Sequence, residues 1–234
     1  MMIKPRIVSL VLLSVWPVRA ETVLDFSQAD EVATAFGQTK SLVVQAGEPG
    51  VAGKPGRASF SGEIEEIRYR GSRFAWGEGG DRLTVAFKFR LESVNDAVLS
   101  IGLLVPGLMM NNSGGTLVLR YVSNPKVTGR IEAILDGRHQ RTFVAAYLEP
   151  GRVYLMRAIF SIATAGETVD ASLELSDCGP DGSGAPRVVA ELPGSGFVSA
   201  PLAQSPQIEV GLRMGGSGVA WLDDFSILSE GRTP

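Results

Sequence analysis

The sequence predicts an all-β chain folded as an antiparallel two-sheet β-sandwich. Three observations carry this reading. Hydrophobicity alternates with a period of two along most apolar segments. Short apolar runs are separated by turn clusters that draw on 28 Gly and 13 Pro. No long stripe of period 3.6 supplies the crossover helices that a parallel α/β sheet needs. At 234 residues the chain can bury one sizeable core. No repeat, low-complexity linker or composition break marks a second domain.

The elements follow in order. Thr22–Phe26, Leu42–Gln45, Ala58–Ser61 and Ile64–Tyr69 are short strand candidates, and a single helical turn is placed near Gln28–Phe36. Arg82–Glu92 puts Leu83, Val85, Phe87, Phe89 and Leu91 on one face and Thr84, Lys88, Arg90 and Glu92 on the other, the pattern of a half-buried strand. Thr116–Val122 is apolar on both faces and is read as a central strand. Gly129–Leu135 runs into the Asp136-Gly137 turn and a hairpin partner at Arg141–Leu148. After the Glu149-Pro150-Gly151 turn come strands at Val153–Ile162 and Val169–Leu175. A Gly/Pro/Asp loop, Ser176–Pro186, leads to Arg187–Leu192, and strands at Pro206–Met214 and Gly218–Leu228 close the chain.

The N-terminus reads as an export signal. Lys4 and Arg6 precede an apolar run, Ile7 to Trp16, that is too short to span a bilayer, and Val18-Arg19-Ala20 offers a small-x-small cleavage site. The expected division is a signal peptide at 1–20, one β-sandwich domain at 21–230 and a short tail at 231–234. The product is expected to be secreted or periplasmic, without membrane insertion once the signal is cleaved. Taking the three basic residues of the leader from the 22 Lys and Arg leaves 19 against 25 acidic groups, a balance of −6. No basic run offsets it, so nucleic acid is excluded as a partner. A single Cys, Cys178, rules out an internal disulfide, and one His with one Cys cannot build a multi-histidine or thiolate zinc site.

The order of these segments resembles a known superfamily. An early Val23-Leu24-Asp25-Phe26 strand precedes a Gly-rich segment and a strand ending Ala58-Ser59-Phe60-Ser61. The step Glu149-Pro150-Gly151-Arg152-Val153-Tyr154 leads into a long strand, and Trp221-Leu222-Asp223-Asp224-Phe225 closes the chain. This resembles the concanavalin A-like, laminin-G-like jelly rolls of secreted bacterial proteins, with Val153 standing where an aromatic is usual. The resemblance implies a jelly roll and carbohydrate binding. Lectins, glycan-processing enzymes and structural modules all use that sandwich, so activity has to be argued from a site.

Several segments are candidate sites. Ile67–Asp81 places Tyr69, Phe74 and Trp76 among Arg68, Arg70 and Arg73. An exposed aromatic beside Arg suits sugar CH and hydroxyl groups. The competing reading puts these aromatics in the core. Tyr69, Arg73 and Trp76 are the candidate carbohydrate contacts, with Asn111 and Asn112 in a polar loop that could line the same end. A structural Ca2+ is a candidate at Asp177 and Asp181, which share a Gly-rich loop; no other cofactor is expected. Asp223 and Asp224 point to opposite faces of the last strand, one toward the interior and one toward water. Glu63 and Glu65 share a strand face, but Ile67 stands where a third acid would complete a glycosidase pattern. His139, with Tyr147 downstream, is the only imidazole a polysaccharide lyase could use as a base, and it follows a turn where exposed polar residues are ordinary. Gly47–Pro55 lacks the glycine and hydroxyl of a phosphate loop.

The first functional expectation is therefore a secreted, non-catalytic binding module for a polysaccharide or other glycan. The alternatives are a glycan-processing enzyme, glycosidase or lyase, on the same fold, and a cell-envelope interaction protein without a small ligand.

Overall fold

A computed structural model describes residues 18–24, 29–36, 42–49, 55–68, 74–76, 81–92, 97–124, 127–145, 147–162 and 166–231, and among these described residues lie thirteen strands and two short helices. The strands are β1 (Val18–Leu24), β2 (Leu42–Pro49), β3 (Pro55–Arg68), β4 (Phe74–Ala75), β5 (Arg82–Leu91), β6 (Ala97–Leu104), β7 (Thr116–Asn124), β8 (Val127–Leu135), β9 (Arg138–Val144), β10 (Val153–Ile162), β11 (Thr168–Asp177), β12 (Arg187–Val198) and β13 (Gln207–Gly231). Helices α1 (Ala29–Phe36) and α2 (Ala200–Ala203) complete the set.

Two antiparallel sheets face each other and share β13. One runs β12-β11-β10-β5-β13 and the other β13-β6-β7-β8-β9. The C-terminal half of β13 pairs with β5, from Ala220↔Leu91 to Glu230↔Arg82. Its N-terminal half pairs with β6, from Glu209↔Leu104 to Gly216↔Ala97. Strand β3 runs alongside through both sheets, pairing Ile67 with Leu212 in one and Phe60 with Ala220 in the other. The sequence suggests two strands in each of these segments. The chain instead continues through the break, with register shifts around Gly216 opposite Gly62. Glycine at such a corner lets a strand bend from one sheet to the next without a side chain in the way.

The period-two reading of β5 holds residue by residue: Leu83, Val85, Phe87, Phe89 and Leu91 are buried and their neighbours are not. They meet Tyr154, Met156, Ala158 and Phe160 of β10 and Leu117, Leu119 and Tyr121 of β7 in one core. Helix α1 adds Phe36, whose ring stands edge-on to Phe225 with centroids 5.2 Å apart. Strand β7 is central, paired on both sides; Leu117, Leu119 and Tyr121 face the core and Val118 on the other face packs with Met110, so both faces carry apolar residues.

Two departures matter for the site. Strand β6 carries no clean alternation and is not among the sequence-predicted strands. Leu99, Ile101 and Leu103 face the core, but the other face holds Ser100, Gly102 and Leu104, all buried or closely covered. The β8–β9 turn is also tighter than the expected hairpin. Asp136 and Gly137, both at positive φ, make the whole connection, so β9 begins at Arg138.

Candidate functional site

A single row of side chains crosses the outer face of the second sheet. Arg213 of β13 is opposite Ser100 of β6. Ser100 is opposite Arg120 of β7, and Arg120 is opposite Glu132 of β8. Register partners share a face, so four adjacent strands line up two guanidinium groups, a hydroxyl and a carboxylate. His139 joins from β9, beside Ile134 of β8.

The loop 105–115 folds over one end of this row. Its base is closed by Val105 N–H donating to Gly115 O (2.9 Å). Asp136 Oδ1 accepts from Gly115 N–H (2.8 Å) and Thr116 N–H (3.0 Å). At the tip, Asn112 Oδ1 accepts from Met109 N–H (2.7 Å). Met110 lies flat on the sheet because Gly102 and Gly211 leave room for it: a Cβ at either would come within 2.8 Å of Met110 Cε. With Leu104, Val118 and Ile134 it forms a small apolar cluster apart from the main core.

Beside that cluster lies a cleft of about 120 Å3, lined by Ser100, Met110, Asn111, Val118, Arg120, Ile134, Gly137, His139 and Arg213. Arg120 Nε donates to Glu132 Oε2 at 2.6 Å. Arg120 Nη2 lies 3.4 Å from His139 Nε2. If Nε2 accepts there, the imidazole proton sits on Nδ1, which is 3.8 Å from Glu132 Oε2. Arg130 Nε lies 3.6 Å from Glu132 Oε1, so the buried carboxylate is enclosed by cations. On the far side, Arg213 Nη1 donates to Asn111 Oδ1. Ser100 is 1% exposed and its Oγ has no hydrogen-bond partner. An unpaired buried hydroxyl costs about 1–3 kcal/mol, so the fold carries a donor it does not itself use.

The sequence-predicted residues are placed unevenly. Asn111 lines the cleft, while Asn112 pins the loop behind it. Trp76 is in the core, 5% exposed, with its indole N–H donating to Leu202 O at 3.1 Å. It staples α2 in place and offers no free ring face to a sugar. Tyr69 and Arg73 lie outside the described residues. Ser100, Arg120, Glu132 and Arg213 were not among the sequence candidates. For the three charged residues the signal is a charge inside a largely apolar strand (LVLRYV, RIEAIL, VGLRMG).

The two aspartates weighed for calcium each serve the protein itself. Asp177 is buried and receives Arg152 Nη2 (2.7 Å) and Nε (3.2 Å), Arg187 Nη2 (3.4 Å) and Gly179 N–H (2.9 Å). The Arg152 guanidinium holds its carboxyl below the usual carboxylate range. Asp181 accepts from Ser183 N–H (3.1 Å) and Oγ (2.8 Å), which closes the turn. A cation at Asp177 would have to displace two guanidinium groups. Among the described residues no three His, Cys, Asp or Glu side chains are grouped to share an ion. Asp223 is fully buried, and Asp224, at positive φ, pairs with Lys88 at 3.1 Å.

No family model matches the chain, and no curated protein matches it either. Solved structures do. Lectin II from Ulex europaeus superposes with a TM-score of 0.55 at 10% identity, over 90% of this chain and 98% of that one. A Bauhinia forficata lectin, solved in complex with GalNAc, gives 0.53 at 9% identity over 92% and 100%. The CBM2 module of an evolved Dit protein of Lactobacillus casei BL23 phage J-1 gives 0.53 at 10% identity over 94% and 100%. At these identities the likeness is one of fold. The chain shares the antiparallel jelly-roll fold of these lectin domains.

Proposed function

We propose that this protein is an exported, non-catalytic carbohydrate-binding module whose site is the cleft on the outer face of the second sheet. The observation that carries the reading is the Arg213–Ser100–Arg120 row, which sets a buried, unpartnered hydroxyl in the floor of a cleft lined by two guanidinium groups and an imidazole. Sugar recognition needs convergent polar groups beside a small apolar floor. Met110, Val118 and Ile134 supply that floor. The fold shared with a lectin solved with GalNAc supports the same direction. A hydrolytic reading needs two carboxylates about 5–5.5 Å apart in a retaining enzyme. No acid lines this cleft, and Glu132 beside it is held by Arg120.

Export is part of the proposal. Strand β1 already begins at Val18, so cleavage after Ala20 would leave Glu21–Leu24 paired with Leu228–Phe225. N-terminal sequencing of the protein recovered outside the cytoplasm should begin at Glu21.

A glycan array, followed by titration of the strongest hit, tests the binding site. Asn111 and His139 are exposed, so alanine at either should leave the melting temperature within about 2 °C of wild type. Each should weaken binding by about tenfold. Binding that is unchanged in both variants would move the site elsewhere on the molecule.

A further inference from the structure

We propose that the cleft takes the carboxylate of an acidic sugar, so that the glycan bound is a polyuronate rather than a neutral chain; this rests on the carbohydrate-binding reading above. The lining contains two arginines, one histidine and one asparagine, and no acid. Arg213 and Arg120 are both register partners of Ser100, one on each side. Two inter-strand steps separate their backbones by roughly 10 Å, and both side chains line the cleft. A carboxylate accepts several hydrogen bonds at once and matches the planar fork of a guanidinium. A sugar hydroxyl could satisfy the Ser100 donor but would leave the Arg213 guanidinium, which only the neutral Asn111 holds, without an anion.

The charge around the cleft points the same way. Arg120 is partly offset by Glu132 at 2.6 Å, but Arg213 is held by the neutral side chain of Asn111. The local balance is therefore positive although the whole chain is acidic. Screening over about 8 Å at physiological salt removes most of the influence of distant acids. A space of about 120 Å3 equals about four waters of liquid volume. It admits a carboxylate and the edge of its ring, and leaves the rest of the chain to run along the surface between the 105–115 loop and β9.

Calorimetric titration with three polymers tests this: oligogalacturonate, the same backbone fully methyl-esterified, and a neutral galactan. The expected result is oligogalacturonate binding at least about tenfold tighter than its methyl ester. That preference should vanish in Arg213→Gln and weaken as salt is raised. Ser100→Ala, which removes the unpaired hydroxyl without disturbing a bond, should lower oligogalacturonate affinity while the protein melts no lower than wild type. If the ester and the galactan bind as tightly as the acid, and Asn111→Ala weakens all three, the acidic preference is overturned while the carbohydrate site stands. If none of the three polymers binds, and the glycan array is also blank, both readings fall together.

Discussion

The outer faces of the two sheets are built from similar residues and use them differently. On the first sheet the cations have matching carboxylates: Lys88 with Asp224, Arg157 with Glu174, and Arg152 and Arg187 with Asp177. A small apolar cluster of Val153, Cys178 and Trp221 sits among them. On the second sheet Arg120, Arg130 and His139 converge on the single carboxylate of Glu132, Arg213 turns to an asparagine, and the Ser100 hydroxyl is left without a partner. Charges that balance within the chain are structural. A surplus of donors over acceptors, gathered at one cleft, is what a binding surface looks like before its ligand arrives.

The largest effect should come from Glu132→Gln. It removes the negative charge that Arg120 and Arg130 share, turns one of the two acceptor oxygens into an NH2 donor, and should cost about 3 kcal/mol. That is the low end for a broken buried pair, because the Arg120 side chain stays 24% exposed. Urea unfolding of variant and wild type measures it. A cost below about 0.5 kcal/mol would mean that this cluster is no more than a solvated surface pair.

On the opposite face, Asp177→Asn should cost about 2 kcal/mol at neutral pH, the loss of charge-assisted hydrogen bonds. The sign with pH follows from its lowered pKa. Its stabilising contribution is complete above the ordinary carboxylate value of about 3.9 and is lost as pH falls through the lower folded value. The gap between wild type and variant should therefore narrow as pH falls below the ordinary carboxylate value of about 3.9. A gap that stays constant between pH 7 and pH 2 would show that the loss is one of packing rather than charge.

The smallest and most telling effect is that of Ser100→Ala. Removing a polar group the fold cannot satisfy should raise stability by about 1 kcal/mol, at the expense of ligand binding. The two faces then separate by sign, since removing a polar group from the paired face destabilises and removing this one does not. A drop in thermal midpoint for Ser100→Ala would show that the hydroxyl already has a structural partner.

The period-two strands were legible because their two faces see different solvents. β5 and β11 alternate in burial along most of their length. β6 was hidden because both of its faces are covered, one by the core and one by Met110 lying on Gly102. The continuity of β3 and β13 was hidden because glycines at the corner look like a turn in sequence. Among the site residues, Asn111 was found through its polar loop. Arg120, Glu132 and Arg213 were each visible as charges in largely apolar strands, but only pairing across four strands brings them together. Trp76 misled because an aromatic among arginines looks the same in sequence whether its ring faces water or the core.

Strand β13 has one more consequence. Residues 207–231 occupy a central position in both sheets, yet a ribosome makes them after every strand they join. Until they emerge, β5 and β6 lack a shared neighbour and neither half can close. Closure of the sandwich therefore waits on this strand, and the fold becomes committed to its native form only once residues 207–231 thread between the two waiting edges.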